Sequence, residues 1–392
     1  MVRNIFSAVL LFFIQPTFLI GIMVAISLSI RRKKQERKLF RVAINKDNHE
    51  VKQFFTKGLI PGLIGSLLLV GVGVPITVEM IIFYQIFALL GLLIGLRFFH
   101  PMFTIPLSAL AIIGIDRLGI VNLLPDTVNN WYQRFNQIEW SNAQLIQNVL
   151  IIAVFSLLAI VSYLFYKKET SYSPRFNKTK RGKKIATYRL TPFWLMPLVL
   201  IIPGEAFTEL FDWWPVLSIG NETYSFFVLP VLNGFRYTVQ SQVPKEATQK
   251  IAKELFFVAL VGVLCGVASF WIPLLSIGGL AVLFLGGLIV LLRHYLREKN
   301  GQRLYAPADH GLKIIGIRPN TPAEKMKLQV GETVVICNEK TIETEDDFYE
   351  ALARNSVYCH LKVNDVNGEP RLTETALYAD DPPGLGVVFL QA

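Results

Sequence analysis

Long apolar stretches alternate with short basic runs along the first three quarters of the chain. A helix that crosses a bilayer needs about 20 predominantly apolar residues, within a range of roughly 17 to 25. The stretches of approximately this length are predicted as membrane-spanning helices: residues 5–30, 59–78, 80–96, 102–115, 145–166, 193–211, 224–235, 255–275 and 277–292. The stretch 224–235 is short, and Pro16 could fold the first stretch into a hairpin, so we expect about seven to nine spans.

A different pattern begins at residue 300, where short alternating segments are separated by turn signals. This pattern predicts four strands, a final strand within "GLGVVFLQ", and two helices: strands 311–317, 331–338, 358–363 and 371–378, and helices 323–328 and 344–355. We therefore predict two domains. Residues 1–299 form an α-helical polytopic transmembrane domain with basic cytoplasmic loops, and residues 300–392 form a small α+β domain.

The composition supports a membrane protein with a soluble attachment. Apolar residues make up 52% of the chain and charged residues 17%, with a mean hydropathy of +0.44. A soluble domain usually has about a quarter charged residues, so a simple cytosolic enzyme, a disordered tail and a disulfide scaffold are excluded. The net charge of +10 divides into −5 for residues 300–392 and +15 for the remainder. An acidic soluble domain offers no basic face for nucleic acid, and we predict no nucleic-acid partner.

The positive charge indicates an orientation. Residues 31–57 contain ten Lys and Arg, residues 167–190 contain nine, and residues 236–254 and 293–303 are also basic-leaning. By the positive-inside rule these four stretches face the cytoplasm, and the C-terminal domain faces it with them. The stretch 243–254 is either a connector on that side or a helix that docks on lipid or a partner.

No catalytic motif stands out, and we predict no catalytic residue, metal site or cofactor. The three cysteines form no CxxC pair, and no histidines have the HExxH spacing of a zinc protease. Ser66 follows Gly65 without a histidine partner in view, which favours close helix packing over an intramembrane hydrolase. Glu205 and Glu209, one turn apart beside Pro203-Gly204, keep a transporter open as an alternative, with Glu79 and Asp212 as weaker candidates.

The C-terminal sequence resembles the PDZ family. The run Pro319-Asn320-Thr321-Pro322-Ala323, then Leu328, Gly331-Glu332 and 334–338, is similar to the PGSPA…GL..GD.I..VNG core of bacterial PDZ domains. Glu332 replaces the usual Asp, and Glu339 stands where Gly is common. The match to the family's Gly-Leu-Gly-Phe loop lies at the end of the chain, at Gly384-Leu385-Gly386-Val387, so the resemblance implies a circularly permuted PDZ domain.

That resemblance implies a peptide-binding groove. Backbone N–H groups of the loop would capture a peptide's terminal carboxylate, and the following strand would pair with the peptide. A Cβ at Gly386 would block the approach to the anion. The alternative is a tight turn into an edge strand. The implied peptide-binding residues are Gly384, Leu385, Gly386, Val387, Val388 and Phe389, with Glu345 and Tyr349 on the facing helix and Phe348 and Leu352 turned into the core.

The whole arrangement resembles the MinJ family of Firmicute cell-division adaptors, and "GFRYTVQSQVPKEA" at 234–247 is also similar to that family. The resemblance implies a non-enzymatic scaffold that links a DivIVA-like coiled-coil protein to a MinD-like division inhibitor. It also implies a multi-pass protein of the cell membrane with a cytoplasmic PDZ domain, enriched at the septum and poles. The implied partners are these division proteins, a peptide C-terminus or strand, and the lipid bilayer.

Overall fold

The computed structural model describes residues 9–40, 47–120, 125, 143–166, 174–178, 182, 184–203, 213–219, 222–355, 357–382 and 384–390. The helices within these ranges are α1 (Pro16–Phe40), α2 (His49–Thr56), α3 (Leu59–Val72), α4 (Val78–Ile94), α5 (Pro101–Arg117), α6 (Ala143–Phe165), α7 (Pro244–Ala268), α8 (Leu274–Asn300), α9 (Pro322–Lys325) and α10 (Glu345–Arg354). The strands are β1 (Pro174–Lys178), β2 (Lys184–Leu190), β3 (Phe193–Pro203), β4 (Val216–Ile219), β5 (Glu222–Gly234), β6 (Tyr237–Val239), β7 (Leu312–Ile317), β8 (Thr333–Cys337), β9 (Lys340–Thr341), β10 (Tyr358–Asn364), β11 (Pro370–Ala376) and β12 (Val387–Phe389).

The prediction of apolar helices followed by a sheet-rich part is confirmed, but the part predicted to be all helical also contains six strands in its described residues, β1 to β6. Four helical stretches in the described residues are long and apolar enough to cross a membrane: His49–Val72, α6, α7 and α8. Helix α4 is apolar but shorter. The stretch 243–254 is no separate connector, because its residues from Pro244 onward form the first turns of α7, with Pro244 at a position where a missing N–H costs nothing.

Two of the predicted spans, 193–211 and 224–235, are wrong as helices. Their described residues form β3 and β5, which pair antiparallel from Phe193↔Gly234 to Pro203↔Tyr224. A proline inside a helix costs about 3 kcal/mol, because it removes a hydrogen bond and clashes with the preceding turn. Pro197 and Pro203 interrupt the first stretch and Pro230 interrupts the second. Pro197 lies directly opposite Pro230.

The β3–β5 hairpin is buried among helices that satisfy its outward backbone groups. The N–H of Val199 donates to Ser66 Oγ on α3 at 2.9 Å. The N–H of Leu232 donates to the Tyr84 hydroxyl on α4, also at 2.9 Å. Two further contacts of this kind are Gln15 Nε2 to Val228 O at 2.8 Å and Ile76 N to Ile201 O at 2.8 Å. Non-helical backbone at membrane depth is stable only with such partners.

The pair Gly65-Ser66 serves packing in this arrangement. A Cβ at the preceding Gly62 would lie 2.6 Å from the carbonyl oxygen of Pro197, so small residues let α3 approach β3 closely. The Ser66 hydroxyl donates to Gly62 O at 2.7 Å while it accepts from Val199. The hydroxyl is therefore fully engaged by backbone, as the small-residue interpretation requires.

The C-terminal domain contains a sheet in the order β11-β10-β8-β7-β12, with β9 paired to β8. Its core is separate from that of the membrane part and is built around Ile314, Val334, Phe348, Leu361 and Phe389. Every strand and helix predicted beyond residue 300 is present, with bounds that shift by one to a few residues. Strand β12 is the last strand in the chain, and it pairs antiparallel with β7.

The outer face of this sheet docks on the membrane part. Ile315 has no register partner on β12, because the pairing shifts from Val388↔Gly316 to Phe389↔Ile314. The carbonyl of Ile315 instead accepts a 2.6 Å hydrogen bond from the buried hydroxyl of Tyr188 on β2. The Tyr188 ring packs edge-on against Tyr305, with centroids 4.8 Å apart. The segment between α8 and β7 is therefore fixed at Tyr305.

Candidate peptide-binding groove

The loop before β12 has a rare backbone conformation. Gly384, Leu385 and Gly386 have consecutive positive φ angles of 84°, 59° and 81°. The carbonyls of Leu385 and Gly386 accept from the N–H groups of Ala323 and Arg318 at 3.0 and 2.9 Å. Their own N–H groups donate to no acceptor in the described part of the chain. Unpaired N–H groups in such a loop can bind an anion.

Gly386 is required for a reason that the sequence did not reveal. A Cβ at this position would lie 2.5 Å from Thr321 Oγ1 and 2.6 Å from Thr321 Cβ. The glycine therefore lets the loop pack against the turn before α9, and valine there would displace the loop itself. Substitution of Gly386 is thus a poor probe of anion binding, contrary to the expectation that its Cβ would act on the ligand.

Strand β12 is an edge strand. Gly386 O and Leu390 N both bond toward β7, so the backbone groups of Phe389 and the carbonyl of Val387 turn outward, while the N–H of Val387 donates to Gly384 O at 3.1 Å within the loop. Within the described residues no strand pairs with that outer side. The side chains of Val387 and Phe389 pack in the domain's own core, whereas Val388 packs against the core of the membrane part. The free edge can accept an extended peptide.

Helix α10 forms the wall that faces this edge. The rings of Phe348 and Phe389 meet edge-to-face with centroids 4.8 Å apart. The Tyr349 ring lies over the loop, because a Cβ at Gly384 would be 2.9 Å from its Cε1 atom. Tyr349 is 48% exposed. Glu345 lies one turn earlier, close enough that partial burial and its negative charge together raise the pKa of Tyr349.

The start of α10 is held by a capping box. The Thr344 hydroxyl accepts from the N–H of Asp347, and the Asp347 carboxylate accepts from the N–H of Thr344 at 2.9 Å. Lys340 Nζ lies 3.1 Å from the same carboxylate. Hydrogen bonds from Thr344 and then from Lys340 hold the pKa of Asp347 well below its usual range. The cap fixes the helix that carries Glu345 and Tyr349.

Sequence reasoning missed two residues of the site, Arg318 and Thr321. Arg318 follows β7 and donates its backbone N–H to Gly386 O, and its positive charge acts on the pKa of Tyr349. Thr321 donates its hydroxyl to Arg318 O at 2.7 Å and supports the loop. Both come from the turn "RPNTP", more than 60 positions before the loop. The "RPNTP" match could have directed attention to them.

The described residues include two of the side chains considered for the alternatives to an adaptor, His100 and Glu79. The ring of His100 is buried and accepts from the N–H of Met102 at 3.0 Å, as the cap of α5. Across the parts that are described, no group of three His, Cys, Asp or Glu could hold a metal ion. Of the transporter candidates, Glu205, Glu209 and Asp212 lie outside the described residues, and Glu79 is buried in the first turn of α4.

Three similar proteins come from Bacillus and Lacticaseibacillus. The cell division topological determinant MinJ of Bacillus subtilis (strain 168) is 29% identical over 388 residues, which cover 97% of this chain and 94% of that protein. Probable MinJ proteins of Lacticaseibacillus paracasei and Lacticaseibacillus casei (strain BD-II) are each 23% identical over 372 residues, covering 95% of this chain and 94% of theirs. No family model and no solved structure matches the chain.

Proposed function

Because the chain is homologous to MinJ cell division topological determinants over nearly its whole length, we propose that it is a membrane adaptor that recruits cytoplasmic division proteins to the division site. The homology implies a role as a topological determinant of division. The finer proposal is that the C-terminal domain is a permuted PDZ domain. Its groove and the inner loops bridge a DivIVA-like protein to a MinD-like protein.

The free edge of β12 carries this proposal. A terminal carboxylate fits the loop, where the N–H groups of Leu385 and Gly386 have no acceptor in the described chain. The cationic side chain of Arg318 adds a favourable charge, and Tyr349 offers an aromatic wall. The peptide backbone then pairs with the carbonyl of Val387 and the outward groups of Phe389. Strand addition of this kind captures proteins and needs no catalytic group.

The proposed orientation also has geometric support. Arg31, Arg189 and Arg236 come from three different stretches predicted to be cytoplasmic, and they lie close enough to act on one another's charge. The C-terminal domain docks through Tyr188, which belongs to one of these stretches. This contact supports a groove on the same side as the basic loops, where cytoplasmic partners can reach it.

The test follows a fluorescent fusion of the full chain in its native host. We expect the wild-type protein to be enriched at the septum and poles. The double variant Arg318→Gln/Tyr349→Ala removes a charge and a wall from the groove and should spread evenly over the membrane at an equal protein level. The matched control is Arg354→Gln/Leu372→Ala, which removes one charge and one large apolar side chain at exposed positions, with Leu372 on the strand at the opposite edge of the sheet.

Each outcome of this experiment tests a different part of the proposal. Uniform distribution of the wild-type protein would contradict the role in division-site placement. Enrichment of the groove variant equal to that of the wild type would contradict the groove and leave the loops as the recruiting surface. Loss of enrichment in the control would show that the C-terminal domain responds to any surface change, which also contradicts a specific groove.

A further inference from the structure

Five arginines from separate parts of the chain converge on one side of the membrane part. Arg31 lies on α1, Arg97 follows α4, Arg175 and Arg189 lie on β1 and β2, and Arg236 follows β5. Burial and then repulsion by Arg189 and Arg236 lower the pKa of Arg175 to about 10. Burial, followed by repulsion from Arg189, Arg97 and Arg31, also lowers the pKa of Arg236. Like charges this close need a counter-charge.

The described carboxylates form no ion pair with these arginines, although Glu298 and Glu50 lie in the lining of the cavities beside them. None of the five arginines has a carboxylate within ion-pairing distance in the described ranges, and the Nε atom of Arg236 is buried without a hydrogen-bond acceptor. The acids nearby are engaged elsewhere. Glu50 pairs with Arg32. Glu298 accepts from the backbone N–H groups of Gln240 and Ser241 at 2.7 and 2.8 Å.

A cavity of about 700 Å³ opens beside Arg236 and has two chemically different walls. One part of the lining is mainly basic, with Arg97, Arg236, Lys299 and Arg303 and the single carboxylate Glu298. The other is apolar and consists of Phe98 with Leu288, Leu291 and Leu292 of α8. A smaller cavity of about 190 Å³ shares Arg236 and is lined by Arg31, Arg175 and Arg189. Arg236 therefore belongs to both cavities and joins their basic side chains.

We propose that this cavity binds one anionic phospholipid, with its phosphate on Arg97 and Arg236 and an acyl chain along the leucines of α8. Arginine binds phosphate oxygens through two parallel hydrogen bonds. Basic pockets between membrane helices on the cytoplasmic side bind lipid head groups in this way. Leu292 is 56% exposed and continues the apolar surface of α8. An acyl chain would cover that wall, whereas a free phosphate ion would leave it bare.

The test uses the purified full-length protein in a neutral detergent. Native mass spectrometry measures the affinity for phosphatidylglycerol, and a thermal melt measures its effect on unfolding. Phosphatidylcholine and inorganic phosphate are added in parallel arms. We expect phosphatidylglycerol to bind and to raise the unfolding temperature, and the other two to have little effect. Arg97→Gln/Arg236→Gln should lower the affinity for phosphatidylglycerol by about 25-fold, because each lost charge lowers it roughly five-fold.

Two further variants serve as controls for this test. The control variant Lys34→Gln/Arg37→Gln loses the same charge at exposed positions outside both cavities and should keep its affinity. Arg97→Lys/Arg236→Lys keeps the charge but loses the paired hydrogen bonds, and should show an intermediate affinity. Equal stabilisation by inorganic phosphate would overturn the lipid assignment. An equal loss of phosphatidylglycerol affinity in the control variant would mean that the attraction is diffuse and not specific to the cavity. No preference for phosphatidylglycerol over phosphatidylcholine would refute the site.

Discussion

The substitution Tyr188→Phe is expected to loosen the C-terminal domain from the membrane part. The Tyr188 hydroxyl donates at 2.6 Å to the carbonyl of Ile315, which has no register partner on β12. Phenylalanine keeps the ring contact with Tyr305 but leaves this carbonyl without its donor. An unsatisfied buried group costs about 1 to 3 kcal/mol. Such a cost raises the fraction of undocked molecules by roughly 5- to 150-fold.

Hydrogen exchange of the full-length protein measures this opening. Faster exchange is expected in residues 301–317, where Tyr305 and β7 contact the membrane part, while exchange in α10 should stay unchanged. Burial raises the pKa of Tyr188 well above its usual value, with Tyr305 adding to the effect, so the contact should persist into alkaline solution. The control is Tyr166→Phe, because Tyr166 is 87% exposed. Unchanged exchange in 301–317 for Tyr188→Phe would refute the argument that one hydroxyl secures the docking.

Three further predictions rest on single side chains. Glu339 has a φ of 66°, a conformation that suits glycine, so Glu339→Gly should raise the free energy of unfolding of the C-terminal domain by about 1 kcal/mol in chemical denaturation. Ser66→Ala leaves the N–H of Val199 without an acceptor inside the membrane part and should lower stability by about 1 to 3 kcal/mol in a thermal melt. The pKa of Asp347 is lower in the folded than in the unfolded chain, so Asp347 stabilises the fold at a pH above its ordinary pKa of 3.8. This stabilisation is lost as the pH falls further. Asp347→Asn should remove this acid dependence in denaturation experiments from pH 7 to pH 2.

Specific results would contradict each of these. A lower stability of Glu339→Gly would mean that contacts of the glutamate outweigh its backbone strain. Ser66→Ala is compared with Ser162→Ala, whose residue is exposed on α6, and equal effects would show that the bond to Val199 contributes nothing. An acid dependence that survives in Asp347→Asn would place the titrating group elsewhere in the domain.

The C-terminal domain was predictable from local patterns. Its strands alternate and its turns carry strong signals, so elements such as 358–363 were expected almost where β10 (Tyr358–Asn364) lies. The membrane part was less predictable from local patterns. An apolar run of 11 to 13 residues has the same composition in a buried strand as in a short helix, and only Pro197 and Pro230 distinguish β3 and β5 from spans.

The candidate groove was predictable only in part. The order of elements led to Glu345, Tyr349 and the Gly384–Phe389 segment, because the family resemblance fixes which helix faces which strand. Arg318 was missed, since its place beside the loop depends on how β7 and β12 align. The arginine cluster was missed for a similar reason. Arg31, Arg175, Arg189 and Arg236 lie in three separate stretches predicted to be cytoplasmic, whereas Arg97 lies between two predicted spans. Only the tertiary fold joins Arg97 to Arg236.

The buried β3–β5 hairpin has a consequence for biogenesis. Its outward backbone groups depend on Ser66, Tyr84 and Gln15, which lie 133, 148 and 213 positions before their partners. The ribosome therefore delivers these partners well before either strand exists. A hairpin that entered lipid alone would expose unsatisfied groups at several kcal/mol each. The segments synthesised first thus provide the hydrogen-bond partners for a later segment of the same chain. The order of synthesis therefore sets the order in which the hairpin and the helices assemble.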